Sequence, residues 1–215
     1  MSGAVLEANQ IRKVLGHGAG QVHALRGVDL ALRGGELTLL MGPSGSGKTT
    51  LLSVLGCMLT PTSGTVSIAG HDTATADAET LARLRRNHIG FIFQSYHLFP
   101  TLTASENVQL ALDLRGEPSA PARVRAHAAL TQVGLAHKIG SFPREMSGGE
   151  QQRVAIARAI VSNPSAILAD EPTAALDSEN GQAIMAILAE IAQEPGRGVL
   201  VVTHDARLLP YADRI

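Results

Sequence analysis

The stretch that most constrains this chain is Gly42-Pro-Ser-Gly-Ser-Gly-Lys-Thr49. It matches G-x-x-x-x-G-K-[ST]. It lies between an apolar run, Leu37–Met41, and a segment of helical pattern from about Gly47 to Met58. Strand, glycine-rich turn and helix is the context in which this motif binds phosphate. Glycines let the backbone wrap closely, so that N–H groups from Ser44 to Thr50 converge on an anion, and the helix dipole adds partial positive charge. Gly42, Pro43, Ser44, Gly45, Ser46, Gly47 and Thr50 are therefore candidate cradle positions. Lys48 is placed to neutralise β- and γ-phosphate oxygens, and Thr49 to offer its hydroxyl to Mg²⁺. The chain holds three lysines (Lys13, Lys48, Lys138) against fifteen arginines, so a lysine here is poorly explained as filler.

The rest of the chain reads as α/β. Val28, Leu30 and Leu32 alternate as in a strand with one buried face, and Thr65–Ala69 and Ile89–Phe93 are further strand candidates. Ala76–Asn87 reads as a helix. From Tyr96 to about Ser162 strand patterns stop, and helical segments are predicted over about 104–114, 119–133 and 149–162. Ala166–Ala169 is a buried strand, 178–193 a helix and Gly198–Thr203 a last strand. Strands alternating with helices indicate a parallel sheet, with 96–162 as a helical insertion. Gly16–Gly20 and Gly116–Pro121 read as loops.

Polar residues fall at the ends of these strands, where α/β sheets place ligands. Asp170 and Glu171 follow Ala166–Ala169. After a phosphate loop, such an acid pair points to catalysis, with Asp170 holding Mg²⁺ and Glu171 orienting or deprotonating a water. Gln94 follows Ile89–Phe93, placed to touch Mg²⁺ and the attacking water. His204 follows Gly198–Thr203, within reach of a γ-phosphate. Asp177 is a helix N-cap candidate. The other seven histidines lack metal-ligand spacing. Ser147-Gly-Gly-Glu150 is a capping box, yet each glycine at that helix start costs about 1 kcal/mol against alanine. Glycines there leave amides open to an anion.

Composition excludes several classes. Net charge is −1 and aromatics are 3%, so neither a basic field nor a stacking surface for nucleic acid is present, and no nucleic-acid partner is expected. The single cysteine, Cys57, fits a reducing compartment. No apolar run spans a bilayer, and the first residues lack a signal-peptide core. Direct membrane insertion is not expected, and any membrane role comes through a partner.

With the phosphate loop, Gln94, Ser147-Gly-Gly-Glu-Gln, Asp170-Glu171, Asp177 and His204 in this order, the chain resembles the ATP-binding cassette (ABC) ATPases over nearly its whole length. The resemblance implies a single ABC ATPase domain over 1–215. Its nucleotide-binding core would comprise 1–95 and 163–215, and its helical signature subdomain 96–162. It implies a P-loop NTPase core with a mostly parallel sheet, an N-terminal antiparallel β-subdomain and an inserted α-helical subdomain. It further implies MgATP hydrolysis, with Lys48, Gln94, Glu171 and His204 catalytic. Two cassettes would pack head to tail, so that Ser147, Gly148, Gly149 and Asp177 complete the partner's ATP site. A permease subunit would hold the cassette at the inner face of the membrane, in the cytoplasm. A short permease helix would enter a groove near Gln94–Leu102, where Tyr96, Leu98, Phe99 and Leu102 suit a helix-in-groove contact and equally suit the core of the helical subdomain.

Residues 42–64, 91–108 and 146–160 are similar to the cassettes of lipoprotein-releasing and macrolide-exporting systems. Other readings are an importer cassette, a soluble ABC ATPase of DNA repair or translation, and a non-hydrolysing regulator. Leu15 stands where the family usually has an adenine-stacking aromatic, Ala174-Ala175 replaces the usual Gly-Asn or Ser-Ala, and relatives continue into a further strand beyond Ile215.

Overall fold

The computed structural model describes residues 3–215; Met1 and Ser2, which the expected domain includes, lie outside the described residues. Two four-stranded sheets stack with helices around them. The first is antiparallel and consists of β1 (Ala4–Leu15), β2 (Val22–Arg33), β4 (Ser63–Ile68) and β5 (His71–Asp72), in the order β2-β1-β4-β5. The second is parallel, in the order β3-β8-β7-β6. It contains β3 (Leu37–Met41), β6 (Ile89–Ile92), β7 (Ala166–Asp170) and β8 (Gly198–Thr203). The expected α/β class is the observed one.

The central strands are buried on both faces, which explains their unbroken apolar sequences. Successive side chains alternate between two cores. Ala166, Leu168, Leu200 and Val202 face the antiparallel sheet and α1 (Lys48–Leu55), where Leu51, Leu52 and Leu55 are buried. Ile167, Ala169, Val199 and Val201 face the helices α3 (Ala104–Asp113), α4 (Ser119–Gln132), α5 (Gly148–Ile160) and α6 (Ser178–Ala192). A sixth helix, α2 (Ala78–His88), leads into β6. Between Tyr96 and Ser162 there are helices and no strand, as the periodicity predicts, with each helix a residue or two shorter than expected.

Helix α5 lies directly on β6. A Cβ on Gly90 would sit 2.5 Å from the Ala159 carbonyl oxygen and 3.2 Å from the Pro164 ring. Backbone cannot yield as a side chain can, so Gly90→Ala should destabilise by about 1–3 kcal/mol through overpacking. The check is a lowered urea midpoint with an unchanged m-value.

The strand β1 is the element the sequence hides. Leu6 and Ala8 are buried at alternate positions, but the next buried residue is Ile11. The register slips between Ala8 and Ile11, with Gln10 at φ +50 and its N–H donating to Asp29 Oδ1 at 2.7 Å. A bulge of this kind resets the alternation midway.

Candidate active site

The parallel strands deliver their C-terminal ends to one cavity of about 1090 Å³. Ser44 to Thr50 come from the loop between β3 and α1. Gln94 comes from just after β6, Asp170 and Glu171 from the end of β7, and His204 from just after β8. All are on its walls. Gly42 and Pro43 touch it through Lys48, whose Nζ donates to both of their carbonyl oxygens at 2.8 Å. Gly47 has φ +92, and a Cβ there would lie 2.4 Å from the Ala24 carbonyl oxygen of β2. The loop is therefore braced against the antiparallel sheet and its amides are held in place.

Two side-chain pairs organise the acid end. The Thr49 hydroxyl donates to Asp170 Oδ1 at 3.2 Å. Burial pushes the Asp170 carboxyl up, the Thr49 hydrogen bond offsets part of this, and the Glu171 charge adds to it. Glu171 leaves the strand at φ +47 with its N–H donating to the Val202 carbonyl. Its Oε1 lies 2.8 Å from His204 Nδ1. A non-glycine residue in the left-handed region costs of order 1–3 kcal/mol and is characteristic of functional sites.

At the other end, Leu15, Val22, His23 and Arg26 line the cavity. Leu15 thus stands on the cavity wall. His23, given no role from its spacing, is brought beside it by the β1–β2 hairpin.

Ser147, Gly148, Gly149 and Asp177 are not among the residues lining this cavity. Ser147 caps α5, accepting from the Glu150 N–H at 3.3 Å, while Glu150 accepts from the Ser147 N–H at 2.8 Å. Asp177 caps α6, accepting from the Asn180 N–H at 2.9 Å. Both are the capping roles the sequence predicts. The Ser147 N–H bond holds the Glu150 carboxyl below the usual range, and Lys138 at 3.4 Å helps. Its contribution is therefore complete above the unfolded-state pKa and is lost as pH falls through the depressed folded value. Glu150→Ala should cost about 1 kcal/mol near neutrality. In denaturation curves recorded across acid pH, the gap between variant and wild type should close as Glu150 protonates.

Of the four residues expected to line a groove for a permease helix, the structure uses three otherwise. Leu98 packs on the main core, Tyr96 leans on Gly148, and Leu102 is half-buried. Phe99 is 54% exposed. The cavity between α2, β6, α3 and α5, of about 390 Å³, is lined instead by Arg85, Arg86, Phe91, Ala111 and Leu114. The chain turns at Tyr96 and His97, both at positive φ, and Arg158 of α5 clamps their carbonyls at 2.7 and 2.6 Å.

Residues 25–174 match the ABC transporter family. The chain belongs to the ABC transporter family. Its whole length is 45% identical to part of a macrolide export ATP-binding/permease protein from Rhodopseudomonas palustris, and 46% identical to part of a pyoverdine export ATP-binding/permease protein from Pseudomonas fluorescens. In each case it spans about a third (33%) of the relative's length. Among solved structures it is similar to a dimeric ATP-binding cassette in a post-hydrolysis state bound to ADP and Pi. The TM-score is 0.88 at 41% identity, over 98% of this chain and 93% of that one. A component of an ABC transporter complex from Clostridium perfringens superposes with a TM-score of 0.86 at 29% identity, over 98% of this chain and 83% of that one. The P-loop NTPase fold expected of a cassette is thus the observed fold.

Proposed function

We propose that this cassette binds and hydrolyses ATP as a head-to-tail dimer and drives a permease of the export type. The pairing of Glu171 with His204 at the mouth of the phosphate loop carries the reading. The loop amides and Lys48 hold the phosphates. Glu171 takes a proton from the attacking water, and its Oε1 contact with His204 keeps the carboxylate aimed. With Nδ1 against Glu171, His204 offers its other ring nitrogen, Nε2, to a γ-phosphate oxygen. Leu15, Val22 and His23 take the base.

The Thr49 hydroxyl, the Asp170 carboxylate and the Gln94 carboxamide form a hard-oxygen set suited to Mg²⁺. The raised Asp170 carboxyl beside Glu171 marks a half-buried anionic pair that a cation would relieve. Among the described residues no cluster of three His, Cys, Asp or Glu side chains is placed to hold a metal. That agrees with an ion completed by substrate phosphates and water. When bound, Mg²⁺ would neutralise charge on the phosphoryl oxygens.

Ser147, Gly148 and Gly149, with Asp177, would complete the partner's nucleotide. Residues 1–95 and 163–215 act as the nucleotide core and 96–162 as the helical subdomain. Among the described residues no helix is long and apolar enough to cross a membrane. The cassette would sit at the inner face through its permease, a short helix of which would enter the groove beside Leu114, which is 70% exposed. The named export functions of the relatives support the direction. The test is capture of the tagged cassette from detergent-solubilised membranes. A stoichiometric polytopic partner and MgATP turnover are expected. Recovery of soluble or nucleic-acid-bound partners alone would overturn the transport reading.

A further inference from the structure

Gly148 and Gly149 are costly at a helix start, and two side chains of the same chain account for both. A Cβ on Gly148 would lie 2.9 Å from the Tyr96 hydroxyl and 3.4 Å from a Leu176 methyl. A Cβ on Gly149 would lie 2.7 Å from Asn180 Oδ1 and 3.1 Å from its Cγ. Both neighbours are anchored, Tyr96 at its backbone and Asn180 at its side chain. The Tyr96 carbonyl is held by Arg158, and Asn180 Nδ2 donates to Asp177 Oδ2 at 2.7 Å, which directs Oδ1 at Gly149. Tyr96 belongs to the loop that begins at Gln94, and Asn180 to the first turn of α6, capped by Asp177.

We propose that Tyr96 and Asn180 are positioning residues: packed on Gly148 and Gly149, they lock the Gln94 loop and the Asp177 cap to the start of α5. The proposal rests on the reading that this helix start completes a partner's nucleotide site. A shift of the Gln94 loop then reaches the partner's nucleotide through one direct contact, and a shift at the Asp177 cap through another. Bare backbone is required here by packing within the chain as well as by any anion.

The test is a pair of double-mutant cycles on the full chain. Asn180→Ala removes Oδ1 and Cγ but keeps the backbone N–H that caps with Asp177, and Tyr96→Phe removes only the hydroxyl. Gly149→Ala should lower kcat about tenfold in the native background but less than about threefold in Asn180→Ala, with Gly148→Ala and Tyr96→Phe behaving alike. Affinity for ATP at the phosphate loop should stay constant throughout. Equal losses in both backgrounds would overturn the proposal. So would rescue of melting temperature without rescue of kcat, which would mark a packing contact alone. Absence of turnover in the unaltered chain would overturn the functional reading beneath it, and the positioning role with it. The melting cycle would still report the contact.

Discussion

A Glu171→Gln cassette is expected to bind ATP with near-native affinity and to hydrolyse it about 10²–10⁴-fold more slowly. The substitution keeps size and the hydrogen-bonding contact with His204 at 2.8 Å, but removes the proposed proton acceptor. The phosphate loop is untouched, since its bracing comes from Gly47 against Ala24 and from Lys48 against the Gly42 and Pro43 carbonyls. If the nucleotide is shared between two cassettes, binding closes the pair and hydrolysis opens it. The slow variant should therefore accumulate as an ATP-bound dimer, seen as a doubled mass in light scattering and reversed on nucleotide removal. A monomer with ATP demonstrably bound would refute sharing, and near-native turnover would remove Glu171 from the chemistry.

That site was legible because its chemistry sits at strand ends, and strand ends are marked in the sequence. Ala166-Ile-Leu-Ala and Gly198-Val-Leu-Val-Val are unbroken apolar runs because both faces of the parallel sheet are covered, so Asp170, Glu171 and His204 stand out immediately after them. The antiparallel sheet was less legible. In β1 the bulge at Gln10 breaks the alternation that would announce a half-buried strand, and β5 has only two residues. The supports of the site were invisible for a different reason. Arg158 reaches carbonyls 61 and 62 residues earlier, and Asn180 packs on a glycine 31 positions before it. Such contacts leave no local pattern. The one trace they left was the cost of two glycines at a helix start, which local capping did not explain. The apolar residues after Gln94 could be read as groove lining or as core, and the sequence does not separate the two: Leu98 packs on the core while Phe99, next to it, stays exposed.

Lys48→Ala should have the other large effect, on binding rather than on the chemical step. Lys48 would supply a full charge on an element whose other proposed phosphate ligands are amides. Charge-assisted hydrogen bonds contribute about 1.5–3 kcal/mol each. Losing two of them, to β- and γ-phosphate oxygens, corresponds to about 10²–10⁴-fold in Kd. Two further consequences work in the same direction. The loop loses the bonds by which Nζ ties Gly42 and Pro43 together. Asp170 loses a nearby cation that offsets part of its burial, so its carboxyl should rise further than it already does. ADP, which lacks the γ-phosphate, should be penalised less than ATP. Titration calorimetry with both nucleotides separates the contributions: a larger loss for ATP places Lys48 on the γ-phosphate. Equal losses would confine it to the β-phosphate and the loop, and unchanged affinity for both would remove it from the nucleotide site.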